Sequence, residues 1–99
     1  MKKIHTIQQI IEQGVIAVLR GESPEQVIEM AKQAIVGGIR VIEVTLTVPS
    51  ALKAIEQLKK RYISTVEDER FAIIGAGTVL DPETARLAIL HGAEFVVAP

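Results

Sequence analysis

VIEVTLTVPS, residues 41–50, carries two signals that conflict in an ordinary buried strand. Its Val, Ile, Thr and Leu residues favour a strand of the near-continuous apolar kind found in parallel sheets covered on both faces. Yet Glu43 stands in the middle, and a carboxylate seldom goes inside a protein unless it is paired or in use. Side chains alternate along a strand, so Val41, Glu43, Thr45 and Thr47 share one face while Ile42, Val44 and Leu46 share the other. The all-aliphatic face suits packing against helices. The mixed face, polar toward its C-terminal end, suits the lining of an interior.

Strands and helices alternate outward from this segment. Upstream, a short helix over Thr6–Gln13 carries Ile7, Ile10 and Ile11 at helical spacing and closes at Gly14. VIAVLR (Val15–Arg20) reads as the first strand. Ser23, Pro24 and Gln26 form an N-cap, first-turn proline and capping-box sequence. Val27, Ile28, Met30, Ala31, Ala34 and Ile35 make the expected buried stripe of the helix that follows, which Gly37 and Gly38 end.

Downstream, PSALKAIEQLKKRY repeats the helical pattern with Leu52, Ile55, Leu58 and Tyr62 on one face. STVEDER is expected to be a solvated connection. FAIIGAG reads as the third strand, DPETARLAILHG as a helix capped by Asp81 and ended by Gly92, and EFVVA as the fourth strand. Strands recur at the period of βα units. GGIRVIEV (Gly37–Val44) is echoed by HGAEFVVA (His91–Ala98), each with a helix-ending glycine, a charged residue two positions on, and then a strand.

The expected fold class is therefore α/β. Four βα units are half of a (β/α)8 TIM barrel, and the 99 residues are read as the N-terminal half of one such domain, preceded by the short helix. A small open four-stranded sheet is the alternative.

Composition narrows the function classes. The net charge is −1, and basic residues are interspersed with acidic ones, so no footprint for nucleic acid appears. There is no cysteine, hence no disulfide framework and no thiol nucleophile. No apolar run is long enough to span a bilayer, the N-terminus does not read as a signal peptide, and the expected location is cytoplasmic. Hydrophobic content is 48% with only 3% aromatic, a profile that suits helices packed on parallel strands.

In a parallel barrel the active site forms at the C-terminal ends of the strands. Arg20, Glu43, Thr45, Thr78 and Pro99 all fall at or near such ends, and alternation pairs Ile16, Val18 and Arg20 on one face and Ile74, Ala76 and Thr78 on another. Gly75 and Gly77 allow a close approach to the third strand. Each residue also has a plainer reading: Glu43 as an exposed edge residue, Arg20 as a strand-end charge reaching solvent, Thr78 as a β-branched strand former. GAG lacks the third glycine and the directly following helix of a dinucleotide fingerprint. His91 reads as a partner of the helix dipole, Asp81 and Glu83 as cap and dipole partners, and His5 carries no signal.

VLRG around Arg20, GGIRVIEVTLTVPSA (Gly37–Ala51) and IIGAGTVLDPETARLAILHGAEFVVAP (Ile73–Pro99) together resemble the 2-keto-3-deoxy-6-phosphogluconate (KDPG) and 4-hydroxy-2-oxoglutarate (KHG) aldolases, a family that also includes phosphogalactonate aldolases. The likeness covers nearly the whole chain. It implies a (β/α)8 barrel, a homotrimer, and a reversible aldol cleavage that gives pyruvate and glyceraldehyde 3-phosphate through a lysine Schiff base, without metal or cofactor. It matches Glu43 to the family's general acid/base, Thr78 to a residue binding the pyruvyl carboxylate, Thr45 to the pocket lining, and Pro99 to the loop after the fourth strand.

Two departures stand out. Many family members carry an arginine, two positions after the threonine of EVT, that holds the substrate carboxylate; here the position is Thr47, and Arg20 is the candidate to supply the charge. Lys2, Lys3, Lys32, Lys53, Lys59 and Lys60 all fall near the N-terminus or on expected helices. None sits on a strand, so the chain is expected to lack the Schiff-base lysine. A catalytically silent half-barrel that associates through its open edges, and another keto-acid lyase using Glu43 as a base, are the competing readings.

Overall fold

Branched side chains at Val41–Thr45 make strand β2, and its two apolar neighbours place it inside a sheet rather than at its margin. The computed structural model describes residues 14–47, 50–65 and 67–99. In chain order these form β1 (Ala17–Leu19), α1 (Pro24–Val36), β2 (Val41–Thr45), α2 (Ala51–Arg61), β3 (Ile73–Gly77), α3 (Pro82–Leu90) and β4 (Val96–Val97). All strands are parallel, in the order β1-β2-β3-β4. Consecutive strands are thus neighbours, each pair linked by a helix, as in successive units of a (β/α)8 barrel. The helix expected over Thr6–Gln13 lies outside the described residues.

The alternation read in β2 holds. Ile42 and Val44 face the helices and join Val27, Ala31 and Ile35 of α1, Ala54, Ile55 and Leu58 of α2, and Ile74 and Ala76 of β3. Burying each large aliphatic side chain contributes about 1.5–3 kcal/mol. On the opposite face Val41, Phe71 and Ile73 form a second cluster with Phe95 packed against it. This face carries Glu43 and Thr45.

Local signals set the helix starts. The Ser23 hydroxyl accepts the Gln26 N–H at 3.2 Å, and Asp81 accepts the Thr84 N–H at 2.8 Å. The Gln26 side chain reaches back to the Glu22 N–H at 2.6 Å rather than to the cap residue itself. Helix α2 lacks this device: Ser50 has a left-handed backbone (φ 55°) and makes no side-chain capping bond.

Several expectations are corrected. Met30 leaves the buried stripe of α1 and is 37% exposed, because Val27, Ala31 and Ile35 already fill the contact with the sheet. The segment after α2 is tied down rather than merely solvated. Ile63 bridges Phe71, and the Arg40 guanidinium donates to the carbonyls of Phe71 (2.9 Å) and Glu69 (3.3 Å). β1 and β4 are shorter than the apolar runs that mark them, since each pairs with a neighbour on one side only.

Candidate active site

Glu43 pairs in register with Val18 of β1 and Gly75 of β3, half-buried on the face away from the helices. Its side chain does not stand opposite Gly75. It leans along β3 and lies across Gly77, where an added Cβ would overlap Oε2 and stand 2.6 Å from Cδ. The space over Gly75 holds the Phe95 ring, which a Cβ there would likewise overlap. Glycine at both positions lets side chains from the flanking segments cross β3 there. The close approach expected at GAG is therefore made by side chains.

Thr45 ends β2 on the same face, in register with Gly77. It is only 1% exposed, and its Oγ1 has no hydrogen-bond partner. A buried hydroxyl without a partner loses about 1–3 kcal/mol of solvation. Because the Glu43 carboxylate lies over Gly77, the Thr45 side chain and that carboxylate occupy neighbouring positions in one row.

Arg20 follows β1 directly and is exposed; Thr78 follows β3 directly; Pro99 lies two residues beyond β4 and is exposed. With Thr45 at the end of β2 and Glu43 at its centre, they place a candidate residue at the C-terminal end of every strand of one parallel sheet. Val18 carries the Glu43 face onto β1 and is 53% exposed, so this face is open around the carboxylate.

Thr78 leaves β3 in a conformation that alternation did not contain. Ile74 and Ala76 face the helices, so strict alternation would carry Thr78 with them. Instead Thr78 takes a left-handed backbone, φ 57°, before Val79 resumes bonding to the Val97 carbonyl at 3.1 Å. Such a conformation is rare for a β-branched residue, and outliers of this kind concentrate at functional sites.

The opposite end of the sheet carries two tied charged side chains. The charged residues of the two sequence echoes are each tied there: Arg40 before β2 donates to carbonyls of the β3 approach, and Glu94 before β4 accepts from Lys59 Nζ at 2.7 Å and from the Ile74 N–H at 3.3 Å. Lys32 lies on α1, and Lys53, Lys59 and Lys60 on α2, so among the described residues no lysine lies on a strand. His91 caps α3 with Nδ1 2.8 Å from the Leu87 carbonyl, as its helix-end position implied. Phe95 escaped the reading of the sequence; its one signal was being one of only two phenylalanines, spaced from GAG so as to meet it across a strand pair. No helix among the described residues is long and apolar enough to cross a membrane.

Comparison with known proteins joins these observations. A family model described as "Aldolase: KDPG and KHG aldolase" matches residues 6–99. The chain is 36% identical over 85 residues to the KHG/KDPG aldolase of Escherichia coli (strain K12), covering 86% of this chain and 37% of that one. It is 36% identical over 93 residues to the 2-dehydro-3-deoxy-phosphogluconate aldolase of Dickeya dadantii (strain 3937), covering 93% and 40%. Among solved structures it is similar to the KDPG aldolase of Legionella pneumophila with pyruvate captured at low pH as a covalent carbinolamine intermediate. That match has a TM-score of 0.70 and 37% identity, over 85% of this chain and 37% of that one. The chain thus spans about two fifths of the length of the curated relatives it matches.

Proposed function

Because this chain belongs to the KDPG and KHG aldolase family, we propose that residues 1–99 form the N-terminal half of one barrel domain and supply the acid–base side of a Schiff-base aldolase. The substrate is a phosphorylated 2-keto-3-deoxy sugar acid, cleaved to pyruvate and glyceraldehyde 3-phosphate; 4-hydroxy-2-oxoglutarate, which gives pyruvate and glyoxylate, is a second substrate of the same chemistry.

The observation that carries this reading is the Glu43 carboxylate, half-buried on the open face and leaning toward the strand ends beside an unsatisfied Thr45 hydroxyl. An amine from the remainder of the barrel condenses with the keto carbon and releases water. The C3–C4 bond then breaks, its electron pair forming a C2–C3 double bond as the C–N double-bond pair moves onto the iminium nitrogen, while the C4 hydroxyl loses its proton to a base and becomes the aldehyde. Glu43 accepts that proton, and returns one to C3 before hydrolysis frees pyruvate. A group exchanging protons with successive atoms needs access to the mouth and a fixed place, which a half-buried strand residue has. Arg20 and Thr78 hold the pyruvyl carboxylate, Thr45 offers its hydroxyl to the bound oxygen atoms, and Pro99 lines the wall. The pyruvate adduct of the Legionella pneumophila relative supports a carbinolamine route in this family. Homotrimer formation and a cytoplasmic location are parts of the same proposal.

Joining this chain to the remaining C-terminal part of the Escherichia coli relative should restore pyruvate release. Glu43→Gln should then lower kcat by roughly 10²–10⁴; an unchanged rate would remove Glu43 from the chemistry. The 99-residue chain alone should not be trapped by borohydride in the presence of pyruvate, and stoichiometric labelling would show that it holds the lysine after all.

A further inference from the structure

Register makes Gly75, not Gly77, the direct neighbour of Glu43 on β3. Gly75 has no Cβ, so the space over it is the nearest seat for the Glu43 side chain. The Phe95 ring is already there, with Cε1, Cε2 and Cζ all close enough to overlap a Cβ placed on residue 75. Glu43 lies one step further along, across Gly77, and these same-face positions are about 6.6 Å apart. Ring and carboxylate therefore sit side by side over the two glycines.

Beneath them Val41, Phe71 and Ile73 close the floor. A carboxylate moving down onto that floor would lose water without gaining a partner, a costly transfer. Phe95 thus closes the near seat and the apolar cluster closes the way down.

We infer that Phe95 is a positioning residue for Glu43: its ring over Gly75 displaces the carboxylate one row toward the C-terminal ends of the strands, where the substrate would be met. The inference rests on the proposed proton-transfer role of Glu43 for its meaning, but not for its test.

Nuclear Overhauser contacts in the isotopically labelled 99-residue chain read the seat directly. The wild type should show Glu43 Hγ close to Gly77 Hα. In Phe95→Ala these contacts should fade and contacts from Glu43 Hγ to Gly75 Hα should appear. Phe95→Leu, which keeps apolar bulk over Gly75, should restore the Gly77 pattern. If Phe95→Ala does not fold, Phe95→Val, a smaller truncation, should give both sets of contacts at once. Retention of the Gly77 pattern alone in whichever truncation folds would overturn the inference, whereas loss of stability with that pattern intact would reduce Phe95 to core filling. In the joined enzyme Phe95→Ala should lower kcat by roughly 10- to 100-fold with KM little changed, and Phe95→Leu should recover most of it. A switch of contacts with fully active Glu43→Gln would overturn the proposed function and leave the positioning intact. An unmoved contact pattern with inactive Glu43→Gln would do the reverse.

Discussion

Lys59 Nζ donates to Glu94 Oε1 at 2.7 Å, joining the last turn of α2 to the residue pair that leads into β4. Glu94 is 2% exposed along its side chain and Lys59 is 23% exposed, so the carboxylate is the buried partner. The same oxygen accepts the Ile74 N–H, which ties the pair to β3 as well. Gly92, with φ 113°, leaves room for the lysine stem: a Cβ there would stand 2.8 Å from Lys59 Cγ. This contact lies at the end of the sheet opposite the candidate site, where barrels concentrate stability rather than catalysis.

Removing the cation alone leaves a buried carboxylate without its charge partner. Lys59→Met should lower unfolding free energy by about 3 kcal/mol, in the range for breaking buried pairs. Lys59→Met combined with Glu94→Leu should recover much of the loss. Urea unfolding of the two single variants and the double variant, read as a cycle, checks this; additive losses would mean that the pair is not coupled.

Gly77→Ala should separate activity from stability. The clash it creates is with the end of the Glu43 side chain, a flexible group that can move aside. Its thermal midpoint should therefore stay near that of the wild type, while pyruvate release by the joined enzyme falls. Gly75→Ala meets a whole aromatic ring, so it should lower the midpoint clearly. Melting curves beside initial rates distinguish the two.

The Thr45 hydroxyl is buried without a partner, so replacing it by a methyl removes an unsatisfied polar group. Thr45→Val should leave the fold unchanged or steady it by about 1 kcal/mol. If the hydroxyl serves the ligand, the same variant should weaken pyruvate binding in the joined enzyme. Under this reading the denaturant midpoint holds or rises while KM for pyruvate rises, and a variant that is both less stable and fully active would refute it.

Arg20 stands beyond the end of β1 with Thr47, not arginine, beyond β2. If it supplies the positive charge for the substrate carboxylate, Arg20→Ala should raise KM for pyruvate in the condensation direction markedly, with kcat less affected. Arg20→Lys should recover only part, since a point charge replaces a two-pronged donor. An unchanged KM removes the role.

Acid should weaken the cap of α3. The Asp81 carboxyl is held below its ordinary value of 3.8, chiefly by the Thr84 backbone N–H and then by the Thr84 hydroxyl. A folded-state value below the unfolded one means that stability is present above the unfolded value and is lost as pH falls through the folded one. Asp81→Asn keeps a capping acceptor but does not titrate, so its thermal midpoint should fall less steeply below about pH 4. Asp68, lowered by its side-chain bonds to Arg70, titrates in the same window, so a slope should remain in Asp81→Asn.

Much of this molecule is local. The alternation of Val41, Glu43 and Thr45 against Ile42 and Val44, the caps at Ser23 and Asp81, and the βα period all follow from contiguous backbone geometry, and the chain's own residues determine them. The seat of Glu43 does not follow in that way, because it depends on Phe95, two strands later, arriving over Gly75. Thr78 likewise leaves the strand through a left-handed backbone angle that breaks the alternation in which it was counted, and Lys59 finds Glu94 only when the last turn of α2 reaches the residues leading into β4. Periodicity records which face a side chain leaves from. The register between strands decides which neighbour it then meets, and register is set by the packed sheet as a whole.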